Sequence, residues 1–234
     1  IHSSGKNYFD YLKDPKNSNM YMKPIVEMDI IKIIEKFNQN KSAGNDDIGN
    51  YIIKRVAKEI VKPLTLIFNL SISTGVVPNK LKIAKVIPIY KKQDAEIFSN
   101  YRPVSLLPCF SKILERLVFD KCIDYINTYE ILNDKQFGFR SKHSTYMAII
   151  ELVDKINTAV EKDETTIGIF LDLSKAFDTI DHSILLYKLE HYGFRGIVRK
   201  WFEITQVIEN NMYPIIHMSH ILKTLYVVFL KDQS

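Results

Sequence analysis

Three groups of side chains in this 234-residue chain could do chemistry. The first centres on Asp172, which ends the apolar run IGIFL at residues 167–171. A short run rich in β-branched and aromatic residues is the pattern of a strand covered on both faces. An acid at the end of such a strand is carried to the sheet edge, within reach of solvent, metal or substrate. Taken alone, it is more often a solvated cap or half of an ion pair. Ser174 is a fair N-cap for a short helix that Asp178 and Asp181 would continue.

The second group is basic. Residues 80–122 contain nine Lys or Arg against four Asp or Glu, an excess equal to the whole chain's net charge of +5. Concentrated positive charge suits a polyphosphate or a nucleic acid; the same surplus also describes an ordinary solvated face. Within it, Arg102 offers a planar fork of donors to phosphate and Lys91 a mobile point charge. Read without context, Lys91 is a loop lysine and Arg102 a structural partner of a backbone carbonyl.

The third group is the stretch LNDKQFGFRSKHST at residues 132–145, where rings and cations interleave. Phe137, Phe139 and Arg140 could stack on and neutralise single-stranded nucleic acid. The two rings could equally plug the core beneath a loop. His143 has no metal-ligand partner at a useful spacing.

These groups need elements to hold them. Pro24 opens a helix in which Ile30, Ile33, Ile34 and Phe37 form one apolar stripe. Residues 38–50 are a turn-rich break. Residues 51–74 are helical by pattern, with Ile53, Val56, Ile60, Leu64, Ile67 and Phe68 on one face; Pro63 predicts two helices or a kink. Gly75 and Pro78 stop that run. Residues 82–90 read as a strand, with Pro88 at an edge or bulge position. Ser111 is a plausible cap for a helix to residue 129, and residues 146–161 form another amphipathic helix. Two helices, at 183–192 and 197–201, follow the central run. Residues 1–23 show no period and read as a loose lead-in.

Apolar residues make up 46% of the chain and charged residues 25%, enough for a proper core. Cys109 and Cys122 have no zinc-type spacing and read as reduced, buried thiols. The chain begins at Ile1 and reads as a fragment. It shows no secretory leader, so an intracellular site, nucleus or cytoplasm, is expected.

The string TTIGIFLDLSKAFDTIDH resembles the first palm motif of reverse transcriptases, most closely the non-LTR, LINE-type and jockey-like retrotransposons. VIPIYKK with NYRPVSLL resembles the finger hairpin of the same enzymes, and QFGFR with HST resembles their template-side segment. KSAGNDDI resembles their KSAGPDGI loop, with Asn45 in place of proline and Asp47 in place of glycine. Losing those turn-fixing residues predicts a less rigid loop.

The resemblance implies an α/β (α+β), helix-rich fold: right-hand polymerase fingers plus a partial palm whose sheet is incomplete. It implies a lead-in at 1–24, fingers and partial palm at 25–202 and a divergent tail at 203–234. It further implies RNA-directed DNA synthesis with an RNA template, a DNA primer and dNTPs. Asp172 would be a magnesium-binding catalytic aspartate, with the Leu173 backbone carbonyl beside it. Phe177 would lie beneath the sugar of the incoming nucleotide, excluding a 2′-hydroxyl. Lys91 and Arg102 would grip its triphosphate. Gln136, Phe137, Gly138, Phe139 and Arg140 would lie near the template.

Nucleotide addition is an in-line displacement clamped by two metal ions roughly 3.5–4 Å apart, held by hard oxygen ligands. That site needs carboxylates from two strands. Residues 204–234 contain no adjacent acid pair; their acids are Glu209 and Asp232. The chain is therefore expected to be inactive by itself. A non-enzymatic nucleic-acid binder and an unstable relic are the alternatives. Residues 212–230 approach membrane-span length, but Pro214, His217, His220 and Lys223 interrupt them, and no membrane partner is expected.

Overall fold

The computed structural model describes residues 12, 14–92, 94–171 and 181–206. The order is α1 (Glu27–Glu35), α2 (Asn50–Arg55), α3 (Ala57–Thr74), β1 (Lys85–Tyr90), β2 (Tyr101–Leu106), α4 (Cys109–Thr128), α5 (Thr145–Glu161), α6 (His182–His191) and α7 (Ile197–Gln206). Among the described residues the architecture is helix-rich with one small sheet. Helix α1 packs on α3 and α4, α3 on α7, and α7 on α6. Their apolar stripes meet in a core that includes Ile30, Ile34, Phe68, Ile113, Val118, Leu189, Trp201 and Phe202. Trp201 Nε1 donates to Ser71 Oγ at 3.1 Å, so the buried indole keeps a partner and locks α7 onto α3.

The helix break near Pro63 falls elsewhere. Val56, at φ −100° and ψ 12°, separates α2 from α3, and Pro63 sits inside α3. The buried face runs Ile53, Val61, Leu64, Phe68, Ile72; Ile67 is exposed. A break between α2 and α3 rotates the face, which a stripe extrapolated through both helices misses. Gly75 ends α3 at φ 69°, and Val76 N–H closes on the Ser71 carbonyl.

Ser111 is not a cap. Pro108 takes that position, and Ser111 lies inside α4 with its Oγ donating to the Leu81 carbonyl at 2.8 Å. Both thiols are free and buried, as expected. Burial pushes both up, so they stay protonated. Cys109 Sγ lies 3.2 Å from the Ile48 carbonyl and 3.0 Å from Asn50 Oδ1, tying α4 to the turn-rich loop.

Residues 14–25 are not loose. Met20, Met22 and Ile25 are buried. Met20 N–H donates to the Gly193 carbonyl at 2.8 Å, and Arg195 donates to the Lys16 carbonyl and to Asn19 Oδ1, each at 2.8 Å. Tyr125 Oη on α4 is within 2.9 Å of the Ser18 carbonyl and 3.1 Å of the Tyr192 carbonyl. An extended segment held by distant backbone leaves no helical period in the sequence.

The expected buried strand at 167–171 is absent. These residues are outside any strand and open to solvent, Leu171 at 89% exposure. Among the described residues the only sheet is the β1–β2 hairpin, so this run has no strand to pair with. A strand covered on both faces exists only where neighbours supply its hydrogen bonds. Helix α5 forms as expected, with Ser144 as its N-cap, yet buries none of its residues. Ile149, Ile150, Val153, Ile156 and Val160 make an apolar stripe facing solvent. Among the described residues, no helix is long and apolar enough to cross a membrane.

Candidate nucleic-acid interface

The hairpin carries the first pair of candidate residues. β1 and β2 run antiparallel, with Ile89 opposite Arg102 and Tyr90 opposite Tyr101. Pro88 stands opposite Pro103, so neither strand needs an N–H there. Lys91 N–H extends the ladder to the Asn100 carbonyl at 2.9 Å. Alternation along a strand then puts Lys91 on the same face as Ile89, and therefore as Arg102. Such diagonal neighbours are roughly 7–8 Å apart. Both side chains are exposed, and neither has an ion pair or hydrogen bond among the described residues. The hairpin thus offers two cations on one face.

The turn between the strands is built from its own polar groups. Asp94 Oδ1 accepts from Glu96 N–H at 2.9 Å, and Tyr101 Oη donates to the Ala95 carbonyl at 2.8 Å. Phe98 stands 93% exposed near the tip.

The second constellation is a groove of about 760 Å³ between α1, α4 and the loop before α5. Ile33, Lys36 and Phe37 line it from α1 and its end, and Lys41 from the following loop. Lys112, Glu115, Arg116, Phe119 and Asp120 line it from α4, one face of that helix by their spacing. Phe137, Phe139, Arg140, Ser141 and His143 close it. Five permanent cations face two acids, and four aromatic rings lie among them.

The closing loop is tied by short bonds. Gln136 is fully buried, and its Nε2 donates to the Gly138 carbonyl at 3.1 Å. Its Oε1 is buried without a partner among the described residues. Arg140 Nη1 donates to the Asn133 carbonyl at 3.2 Å. Phe139 takes φ 58° and Lys142 φ 62°, left-handed conformations that turn the chain sharply here. Phe137 and His143 approach at 6.0 Å between centroids. Phe139 is half exposed and Phe137 partly buried, so neither ring simply plugs the core.

On α4, Arg116 Nε pairs with Asp120 at 3.0 Å and its guanidinium lies 5.2 Å from the Phe119 ring. Lys36, Lys41 and Lys112 make no ion pair among the described residues. Burial pushes the Glu115 carboxyl well above the usual carboxylate range, with Lys112 pulling partly against it.

The expected site residues therefore divide. Lys91 and Arg102 come together on the hairpin. Gln136, Phe137, Gly138, Phe139 and Arg140 come together beside the groove. Asp172, Leu173 and Phe177, together with Asp178, lie outside the described residues. Asp181 does not continue a helix from Ser174. It caps α6, accepting from Ser183 N–H at 2.8 Å and Ile184 N–H at 3.2 Å. The Ser183 hydroxyl and these amides hold its carboxyl below the usual range. Among the described residues no cluster of three His, Cys, Asp or Glu could hold a metal ion.

Sequence reasoning missed Lys36, Phe37, Lys41 and Phe119 as groove residues. Lys112 and Arg116 belonged to the basic surplus, but their alignment with Phe119 at helical spacing was the signal that they share a surface.

The basic, aromatic-lined groove and the two-cation hairpin both have the chemistry that suits polyanions bearing bases. Comparison with known proteins narrows the class. The reverse transcriptase (RNA-dependent DNA polymerase) family matches residues 89–221, more than half of the chain. The chain belongs to that family. It is 33% identical over 181 residues to the RNA-directed DNA polymerase from mobile element jockey of Drosophila melanogaster, covering 76% of this chain and 20% of that protein. It is 31% identical over 198 residues to the probable RNA-directed DNA polymerase from transposon BS of the same fly, covering 83% and 22%. The corresponding protein of transposon X-element is also 31% identical, over 199 residues. The chain spans about a fifth of the length of these relatives.

Proposed function

We propose that this chain forms the fingers and part of the palm of an RNA-directed DNA polymerase from a non-LTR mobile element. The carrying observation is the family match from residue 89 onward, which includes Arg102, the 136–140 loop and Asp172 in one continuous span. Single-stranded template lies in the groove between α1, α4 and the 136–140 loop. Its phosphates face Lys36, Lys41, Lys112 and Arg140, and its bases stack on the rings. Lys91 and Arg102 grip the triphosphate of the incoming dNTP. Asp172 and the Leu173 carbonyl are the residues that would hold magnesium, which supplies charge neutralisation at the reacting phosphate. Phe177 sits beneath the deoxyribose.

By itself the 234-residue chain does not extend a primer, because its sequence lacks the second carboxylate pair that such a site needs. The test is primer extension on an RNA template with magnesium and dNTPs. The expected result is no incorporation by this chain, together with retained binding of the template. Template-dependent incorporation would overturn the inactivity. Absence of template binding at low salt would overturn the assignment of the groove.

A further inference from the structure

Two acids line the groove, and Asp120 is paired with Arg116 whereas Glu115 is not. Glu115 lines the groove and also the small cavity behind it, beside Ser111, Leu114, Trp201 and Thr205. It therefore stands at the floor, between the open groove and the core. Its carboxyl makes no hydrogen bond or ion pair among the described residues. The side chain is only partly buried, so a ligand in the groove can supply the partners it lacks. The ligand that fits this groove brings its own donors and acceptors, on the edges of unpaired bases.

We propose that Glu115 is the base-edge contact of the groove, hydrogen-bonding the Watson–Crick edge of an unpaired nucleobase seated among Phe37, Phe119 and Phe137. This inference rests on the groove's assignment to single-stranded nucleic acid. As the neutral acid, the carboxyl has one donor and one acceptor. Every base offers an adjacent donor and acceptor on that edge, so the contact is sequence-tolerant, as a template channel requires. As the carboxylate it only accepts. Guanine alone, with its N1–H and N2–H side by side, then keeps both bonds. Cytosine, adenine and uracil each lose one and leave a ring nitrogen or carbonyl oxygen against a negative charge.

Burial favours the acid form, so the change of state falls well above the usual carboxylate range. The charged or titratable groups around it are Lys36 and Lys41 from α1 and its loop, and Lys112, Arg116 and Asp120 from α4. Arg140 and His143 face it from the closing loop, and Lys82 from the cavity behind. A change of charge on any of these groups acts on phosphate and so on every oligomer alike, and does not imitate base discrimination.

The test is binding of the full 234-residue chain to oligouridine and to mixed guanine–uridine oligomers of equal length, at fixed low salt, from pH 5.5 to 9. The expected result is equal affinity at low pH and a preference for the guanine-containing oligomer of roughly fivefold at high pH, the effect of about one hydrogen bond. E115Q, whose amide keeps one donor and one acceptor, abolishes that divergence while retaining binding. Parallel pH profiles for the two wild-type oligomers, or divergence that persists in E115Q, would overturn the role of Glu115 while leaving the groove intact. No binding of either oligomer at any pH would overturn the groove assignment and this inference with it. The wild-type series stands as a test even if E115Q does not fold.

Discussion

At the scale of single residues, the clearest signal lies where the chain departs from the KSAGPDGI loop it resembles. Asp47 stands where glycine is usual in the resembling loop, and it adopts φ 54°. This chain makes the left-handed turn without the residue that adopts it freely. The loop is nonetheless tied: Asp46 Oδ1 accepts from Ile48 N–H at 3.2 Å, and Asn50 Nδ2 donates to the Asn38 carbonyl at 2.7 Å. Asp47→Gly should therefore stabilise the chain, by about 1 kcal/mol, read as a higher urea midpoint with an unchanged slope. Gly44, in the same loop, is irreplaceable for a different reason. A Cβ there would lie 2.5 Å from the Pro108 backbone nitrogen. Gly44→Ala should lower stability by about 2 kcal/mol or more, since backbone must move.

Asp181 gives a pH dependence of defined sign. Its folded carboxyl titrates below the usual range because it accepts from the cap of α6. Stability from that cap is present above the unfolded pKa and is lost as pH falls through the lower folded value. Thermal melts between pH 2 and 7 should show wild type losing more stability toward acid than Asp181→Ala, with the two converging at the acid end.

At the scale of elements, helices α1, α3 and α4 were legible because their stripes face one core, and the start of α7 was legible from the glycines at 193 and 196 that set it off. Of the hairpin, the first strand was legible in the run at 82–90, and its pairing with residues 101–106 only through the resemblance of VIPIYKK and NYRPVSLL to a finger hairpin. What was not legible depends on partners far away in sequence. The lead-in is ordered by Arg195 and Tyr125, which no local pattern announces. The run at 167–171 has the composition of a buried strand, but composition does not supply the neighbouring strands.

Helix α5 shows the same separation: its stripe forecast a core face, and that face meets solvent. Exposed positions contribute little to stability. A double substitution, Ile150→Lys with Val153→Lys, should leave the unfolding free energy within about 0.5 kcal/mol. It should also reduce self-association by light scattering, because it breaks an apolar patch. A large loss of stability would mean that α5 is covered in solution.

At the scale of the whole molecule, the candidate site was only partly readable. The basic surplus and the QFGFR stretch pointed to nucleic acid. The groove itself needed the end of α1 and the residues just past it, Lys36, Phe37 and Lys41, from about a hundred residues upstream. No spacing rule joins them to Phe137. Lys91 and Arg102 share a face only through the hairpin register.

The central claim is that this groove holds single-stranded template through phosphate and base together. It is tested most directly by the affinity of the chain for a single-stranded RNA oligomer across a salt series, for wild type and for a Lys36→Glu, Lys112→Glu variant that melts cooperatively. Each phosphate contact contributes a slope of about −0.7 in log affinity against log salt. The wild-type slope should be about −3, for roughly four contacts, and the variant should bind far more weakly with a shallower slope. A flat salt response, or equal affinity in the variant, would contradict the account.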